Sequence, residues 1–254
     1  MKYREFQEVE KTYQEKFKIY NKRRKFFFKW YFKLYHRLEI RGREHIPEGP
    51  ALIIPNHTGG YDLDLLALAD FAVEDRDVTP MIIQSWHYCN NWWGRWYVGS
   101  GLPLYQGKGM QFDYYDPYFT PGGERFPGLM VLFPEGNIKT FGDRRRLGKF
   151  YPGALRLAVK YRIPLIPAAM VGFDTASPVM KALPHEGRPD DVLIFPFTFP
   201  KKLIVEFGEP IALNSHHDFS YSKEEEFRIS NEEIRPHLQR LLEKYHAVEC
   251  DPWE

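Results

Sequence analysis

Residues 50–62 read Pro50-Ala51-Leu52-Ile53-Ile54-Pro55-Asn56-His57-Thr58-Gly59-Gly60-Tyr61-Asp62. Four apolar residues between two prolines predict a short buried strand. The polar run from Asn56 to Gly60 predicts a loop at its end, and the stretch YDLDLLALADFA, from Tyr61, the helix that follows. The unit recurs along the chain. Thr79–Ile83 and Leu129–Phe133 predict two further strands, the second running straight into Pro134-Glu135-Gly136-Asn137. Gly153–Tyr161 predicts a helix, residues 163–172 (IPLIPAAMVG) a strand, and Leu203–Phe207 another. Apolar strands alternating with helical segments predict an α/β fold with a mostly parallel central sheet flanked by helices. Polar loops at the ends of such strands are where open α/β sheets bind ligands.

The wider composition limits what such a fold could do. The chain has 254 residues, 43% of them hydrophobic, enough for one sizeable core. A net charge of +1 argues against a nucleic-acid binder held by phosphate neutralisation. That average hides an asymmetry: residues 1–43 hold 14 Lys or Arg against 5 Asp or Glu, a net of +9, which leaves −8 for the rest. Two cysteines, Cys89 and Cys250, form neither a disulfide framework nor a CxxC pair. The N-terminus lacks a signal-peptide core, and nowhere do 18 consecutive apolar residues occur, so neither a leader nor a transmembrane helix is expected.

The basic end predicts helix from residue 3 to 38. Between Lys22 and Leu38 it interleaves cations (Lys22, Arg23, Arg24, Lys25, Lys33) with rings (Phe27, Phe28, Trp30, Tyr31). Such a helix can bury rings at the headgroup level while its cations reach anionic phosphates. The alternative is that it packs back on the body, and both hold if different faces do each. At the other end, after SKEEEF from Ser222, the acidic-to-basic run NEEIRPHLQRLLEKYH predicts an amphipathic scaffold helix, with Pro236 in its first turns or kinking it.

Chemistry is expected at two strand ends. His57 and Asp62, five residues apart, would lie about 140° apart on a continuous helix, but Gly59 and Gly60 allow a turn that folds the carboxylate back. A carboxylate on one imidazole nitrogen fixes the tautomer and leaves the other as a base. That base would activate a hydroxyl. No GxSxG elbow is present, so no covalent acyl-enzyme is expected. At the second strand end Glu135, Gly136, Asn137 and Lys139 are candidates to hold an acceptor, Glu135 alternatively to orient a loop, with Arg144, Arg145, Arg146 and Lys149 as phosphate or membrane contacts. A metal triad of His57, Asp62 and Glu135 lacks supporting spacing, so no metal is expected. The other eight histidines are read as structural, and the glycines of residues 99–109 fit no nucleotide loop.

These residues resemble the glycerolipid acyltransferase family that includes 1-acylglycerol-3-phosphate acyltransferases. Its NHxxxxD motif is similar to Asn56–Asp62, its FPEG motif to Phe133–Gly136, and its proline-containing strand to Ile163–Pro167, within about residues 38–213. The resemblance implies His57 and Asp62 as the catalytic pair, an acceptor role for Glu135 and Gly136, and acyl-CoA or acyl-carrier protein as donor without any cofactor. It divides the chain into a membrane-contact arm, 1–38, and an acyltransferase domain, 39–254. It further implies a peripheral enzyme on the cytoplasmic face of a membrane, whose partners are the lipid surface, the lipid acceptor and acyl-carrier protein. The arginine the family uses for acceptor phosphate has no counterpart in Gly101–Gly109, where Lys108 and Gln106 stand, and Asn137-Ile138 replaces the usual threonine-arginine. The stretch after FPEG also resembles the monoacylglycerol acyltransferase-like branch, so a neutral lipid alcohol competes with a lysophospholipid as acceptor. An acyl-thioesterase and a non-catalytic membrane-binding module complete the alternatives.

Overall fold

The computed structural model describes residues 25–60, 64, 67–68, 73, 78–82, 104–105, 112, 115–136, 138–185, 188–194, 197–213 and 221–247. Strands β1 (Glu39–Arg41), β2 (Ala51–Pro55), β3 (Val78–Ile82), β4 (Leu104–Tyr105), β5 (Leu129–Val131), β6 (Leu165–Val171) and β9 (Ile204–Phe207) form one sheet in the order β1-β9-β6-β2-β5-β3-β4. Five of its six pairings are parallel; β6 with β9 is antiparallel. The expected mostly parallel sheet is what forms. Strands β7 (Val179–His185) and β8 (Arg188–Ile194) make a separate antiparallel hairpin.

The continuous apolar runs have their physical reason in a sheet covered on both faces. In β2, Leu52 and Ile54 face one core with Met130, Leu132, Leu165 and residues of the helix Gly153–Tyr161. Ala51 and Ile53 face the other, with Val131, Ile166, Phe173 and Phe207. All four β2 side chains are fully buried, and each of the larger ones contributes about 1.5–3 kcal/mol of apolar burial. The helix Gly153–Tyr161 lays Ala154, Leu155, Leu157, Ala158 and Val159 against the first core and ends at Arg162, whose left-handed backbone closes it. The C-terminal helix covers the same face. It starts at a capping box, where Ser222 and Glu225 satisfy each other's main-chain N–H, passes through a π-helical stretch at Ile229–Ile234, and continues as Arg235–Glu243. Pro236 sits just inside that last segment, as the sequence suggested. Arg156 holds Glu226 through two hydrogen bonds, fixing one helix on the other.

The second core takes in part of the arm. Residues 25–35 are helical, and Phe32 is 1% exposed in that core with Phe28 and Tyr31 packed beside it. Tyr35 donates to the Thr198 carbonyl at 2.7 Å, and the Tyr31 hydroxyl meets the Thr198 side chain. The opposite face carries Phe26, Phe27, Trp30 and Leu34 exposed. Packing and exposure therefore fall on different faces of one helix. Lys22, Arg23 and Arg24 lie outside the described residues.

Candidate active site

Parallel neighbours β2 and β5 deliver their following loops to the same edge of the sheet. Beyond Pro55 the main chain leaves the ladder, and the side-chain amide of Asn56 takes its place: Nδ2 donates to the Met170 carbonyl at 3.1 Å and Oδ1 accepts from the Met170 N–H at 2.8 Å. The backbone then turns at Gly59, with φ +87. A Cβ there would stand 2.7 Å from the Phe173 carbonyl oxygen, so the close approach requires glycine. Gly60 donates to the Ser177 carbonyl, pinning the far end of the turn.

The turn brings His57 to a carboxylate, and that carboxylate is Asp64. His57 Nδ1 lies 2.8 Å from Asp64 Oδ2, and the Thr58 amide donates to the same oxygen at 3.0 Å. Asp64 is fully buried, whereas the His57 side chain keeps 20% exposure. An ionised carboxylate only accepts, so the Nδ1 proton is donated to it and the basic nitrogen is Nε2. The His57 ring stacks on Phe133 at 4.0 Å between centroids, which fixes its plane. Asp62, where the sequence placed the partner, lies outside the described residues; among those described, the carboxylate on His57 is Asp64. Asp64, Ala67 and Leu68 are all buried and follow helical i, i+3, i+4 spacing.

Glu135 stands at the end of β5 and is turned inward, 5% exposed. One oxygen accepts from the His57 amide at 3.3 Å, and the other from the Gly148 amide at 2.6 Å and the Lys139 ammonium at 2.8 Å. The Lys139 amide in turn donates to the His57 carbonyl at 3.3 Å. Glu135 thus orients loops, one of the two roles its position allowed. Gly136 is exposed with φ +69 against the Tyr151 ring. The basic run disperses: Arg144 lies over the Phe141 ring and near Asp174, Arg145 donates to the His246 carbonyl, and Arg146 and Lys149 are exposed. Burial pushes the Asp174 carboxyl above its ordinary range. Asn137 and Lys108 lie outside the described residues. Among the described residues no group of three or more His, Cys, Asp or Glu is arranged to hold a metal.

Two other histidines have plain structural partners. His45 Nδ1 meets the Phe207 carbonyl at 2.8 Å, and His36, fully buried, meets the Lys201 carbonyl at 3.1 Å.

The sheet and its flanking helices have a solved counterpart. The fold resembles that of a lipid acyltransferase. The 1-acyl-sn-glycerophosphate (LPA) acyltransferase PlsC from Thermotoga maritima superposes with a TM-score of 0.56 at 18% identity, covering 97% of this chain and 81% of its own. No family model matches the sequence. Curated relatives include the uncharacterized protein ML2427 of Mycobacterium leprae, 27% identical over 211 residues, 73% of this chain and 53% of its own length. The uncharacterized protein Rv0502 of Mycobacterium tuberculosis is 27% identical over 209 residues, 72% of this chain and 54% of its own length. The chain therefore spans about half the length of the curated relatives it matches.

Sequence reasoning missed Asp64, Phe133 and Gly148 as parts of the site.

Proposed function

We propose that this protein transfers a fatty acyl group from a thioester, acyl-CoA or acyl-carrier protein, to the hydroxyl of a lipid acceptor. The observation that carries the proposal is the hydrogen bond from His57 to buried Asp64 at a strand end; the likeness in fold to a lysophosphatidate acyltransferase supports it. In the proposed reaction Nε2 of His57 takes the proton of the acceptor hydroxyl as its oxygen attacks the thioester carbonyl. The tetrahedral intermediate then collapses, the C–S bond breaks, and the imidazolium returns the proton to the departing sulfur. No acyl-enzyme forms. General-base assistance supplies roughly 10² to 10⁴ in rate. Juxtaposition of donor and acceptor must supply much of the remainder.

A lysophospholipid such as 1-acylglycerol 3-phosphate is the acceptor we favour. A neutral lipid alcohol is the second reading, and one observation supports it: the Lys139 ammonium is engaged by buried Glu135 and so is a weakened phosphate ligand. We place the enzyme peripherally on the cytoplasmic face of a membrane. Among the described residues no helix is long and apolar enough to cross one. Exposed Phe26, Phe27, Trp30 and Leu34 would enter the headgroup region, with exposed Phe197 beside the Thr198 anchor.

The test is product mass spectrometry with the protein on vesicles, an acyl-CoA or acyl-carrier donor, and lysophosphatidate, glycerol 3-phosphate, monoacylglycerol and diacylglycerol as acceptors. An acylated phosphate lipid made by the wild type and absent with His57→Ala is the expected result. Acylation of a neutral alcohol alone would replace the acceptor and keep the mechanism. Free fatty acid as the sole product would make the protein a thioesterase, and no turnover with any donor would leave only a membrane-binding module.

A further inference from the structure

The C-terminal helix reaches into the candidate site without touching His57. Its Asn231 clamps the loop before Gly153–Tyr161: Oδ1 accepts from the Phe150 amide at 2.8 Å and Nδ2 donates to the Phe150 carbonyl at 3.0 Å. One turn on, Arg235 Nε donates to the Gly148 carbonyl at 3.1 Å and Nη2 to the Leu147 carbonyl at 2.6 Å, while Nη1 donates to Gln239. The loop held this way gives its Gly148 amide to Glu135, which accepts in turn from the His57 amide. The fit is close. A Cβ on Gly148 would stand 2.5 Å from the Lys139 ammonium and 2.9 Å from Glu135 Oε2.

We propose that Arg235 is a positioning residue for His57, acting through loop 147–148 and Glu135; this rests on His57 being the catalytic base. A planar guanidinium spans two adjacent carbonyls with its fixed fork, which a lysine ammonium cannot reproduce. Partial burial disfavours the charged guanidinium, and the nearby Glu135 charge opposes that effect. The arrangement is explained by what it holds. Releasing the two carbonyls lets the Gly148 amide move off Glu135, and a displacement of about 1 Å in a supporting group is enough to cost roughly 10² in rate.

The experiment compares wild type, Arg235→Gln and Arg235→Lys by hydrogen exchange and by steady-state kinetics. Exchange is read at the amides of Gly148, of His57 and, as a reference, of β2 and β5. Arg235→Gln is expected to speed exchange at Gly148 and His57 at least tenfold while β2 and β5 stay within about twofold. It should lower kcat by 10- to 100-fold with the KM for acyl donor within about twofold, and Arg235→Lys should fall between the two. Faster exchange at Gly148 with His57 unchanged, or a uniform rise across β2 and β5, overturns the proposal, as does a parallel change in kcat and KM. If Arg235→Gln does not fold, Arg235→Lys carries the same comparison. A wild type that turns over no thioester would refute the acyl-transfer reading, while the exchange measurement would still decide the coupling.

Discussion

Replacing Asp64 by Asn removes one charge and leaves the shape. The Thr58 N–H and His57 Nδ1 both address Asp64 Oδ2, at 3.0 and 2.8 Å, so the amide keeps its oxygen in that place and accepts from both. The tautomer is retained, but the imidazolium that forms as Nε2 takes the proton loses the anion beside it. The loss should stay below the roughly 10⁴ of the same change in the Ser-His-Asp template, where the tautomer is lost as well. A weakened base here is expected to cost about 10² in kcat, or about 2.7 kcal/mol of transition-state stabilisation at about 1.36 kcal/mol per tenfold. The assay is thiol release from acyl-CoA with a lipid acceptor, run alongside Asp62→Asn so that the two carboxylates are compared directly. Full activity in folded Asp64→Asn, or a large loss falling on Asp62→Asn instead, would refute the pairing as the source of the base.

Gly59→Ala must hold an alanine at φ +87 with its Cβ 2.7 Å from a carbonyl oxygen; a stability loss of about 2 kcal/mol in urea unfolding is expected, with kcat falling because the turn carries His57 to Asp64. Lys139→Met leaves buried Glu135 without its cation; about 1.5 kcal/mol should be lost, near the lower end for charged hydrogen bonds because the ammonium is partly solvated, and Lys139→Arg should lose less by the same measurement. Burial holds the His36 imidazole below its ordinary 6.5. The unfolded chain therefore binds the proton first, so stability is retained above about pH 6.5 and declines as the pH falls below it. Thermal unfolding between about pH 5 and 7.5 should show a slope reduced in His36→Phe, and an unchanged slope would contradict this.

Much of the sheet was legible because its strands are buried on both faces and read as apolar runs. Ala51–Pro55, Leu129–Val131 and Leu165–Val171 fall where those runs predict, and Gly153–Tyr161 matches its helix to the residue. β1 was not legible: three residues with Glu39 and Arg41 at its ends carry no run. The β7–β8 hairpin was hidden by Pro184, Pro189 and the Asp190-Asp191 pair. The reversed direction of β9 beside β6 is a pairing property, and an apolar run has no direction. At the site, His57 and Glu135 announced themselves by standing after strands. Asp64 did not, because it stands after no strand and only the turn at Gly59 brings its carboxylate to His57.

The measurement closest to the central claim is acceptor-dependent thiol release from a long-chain acyl-CoA, wild type against His57→Ala, both proteins shown folded by thermal melt. The account predicts thiol release that rises with added lipid alcohol in the wild type and falls at least 10²-fold in the variant. Release that proceeds equally well in His57→Ala would contradict it.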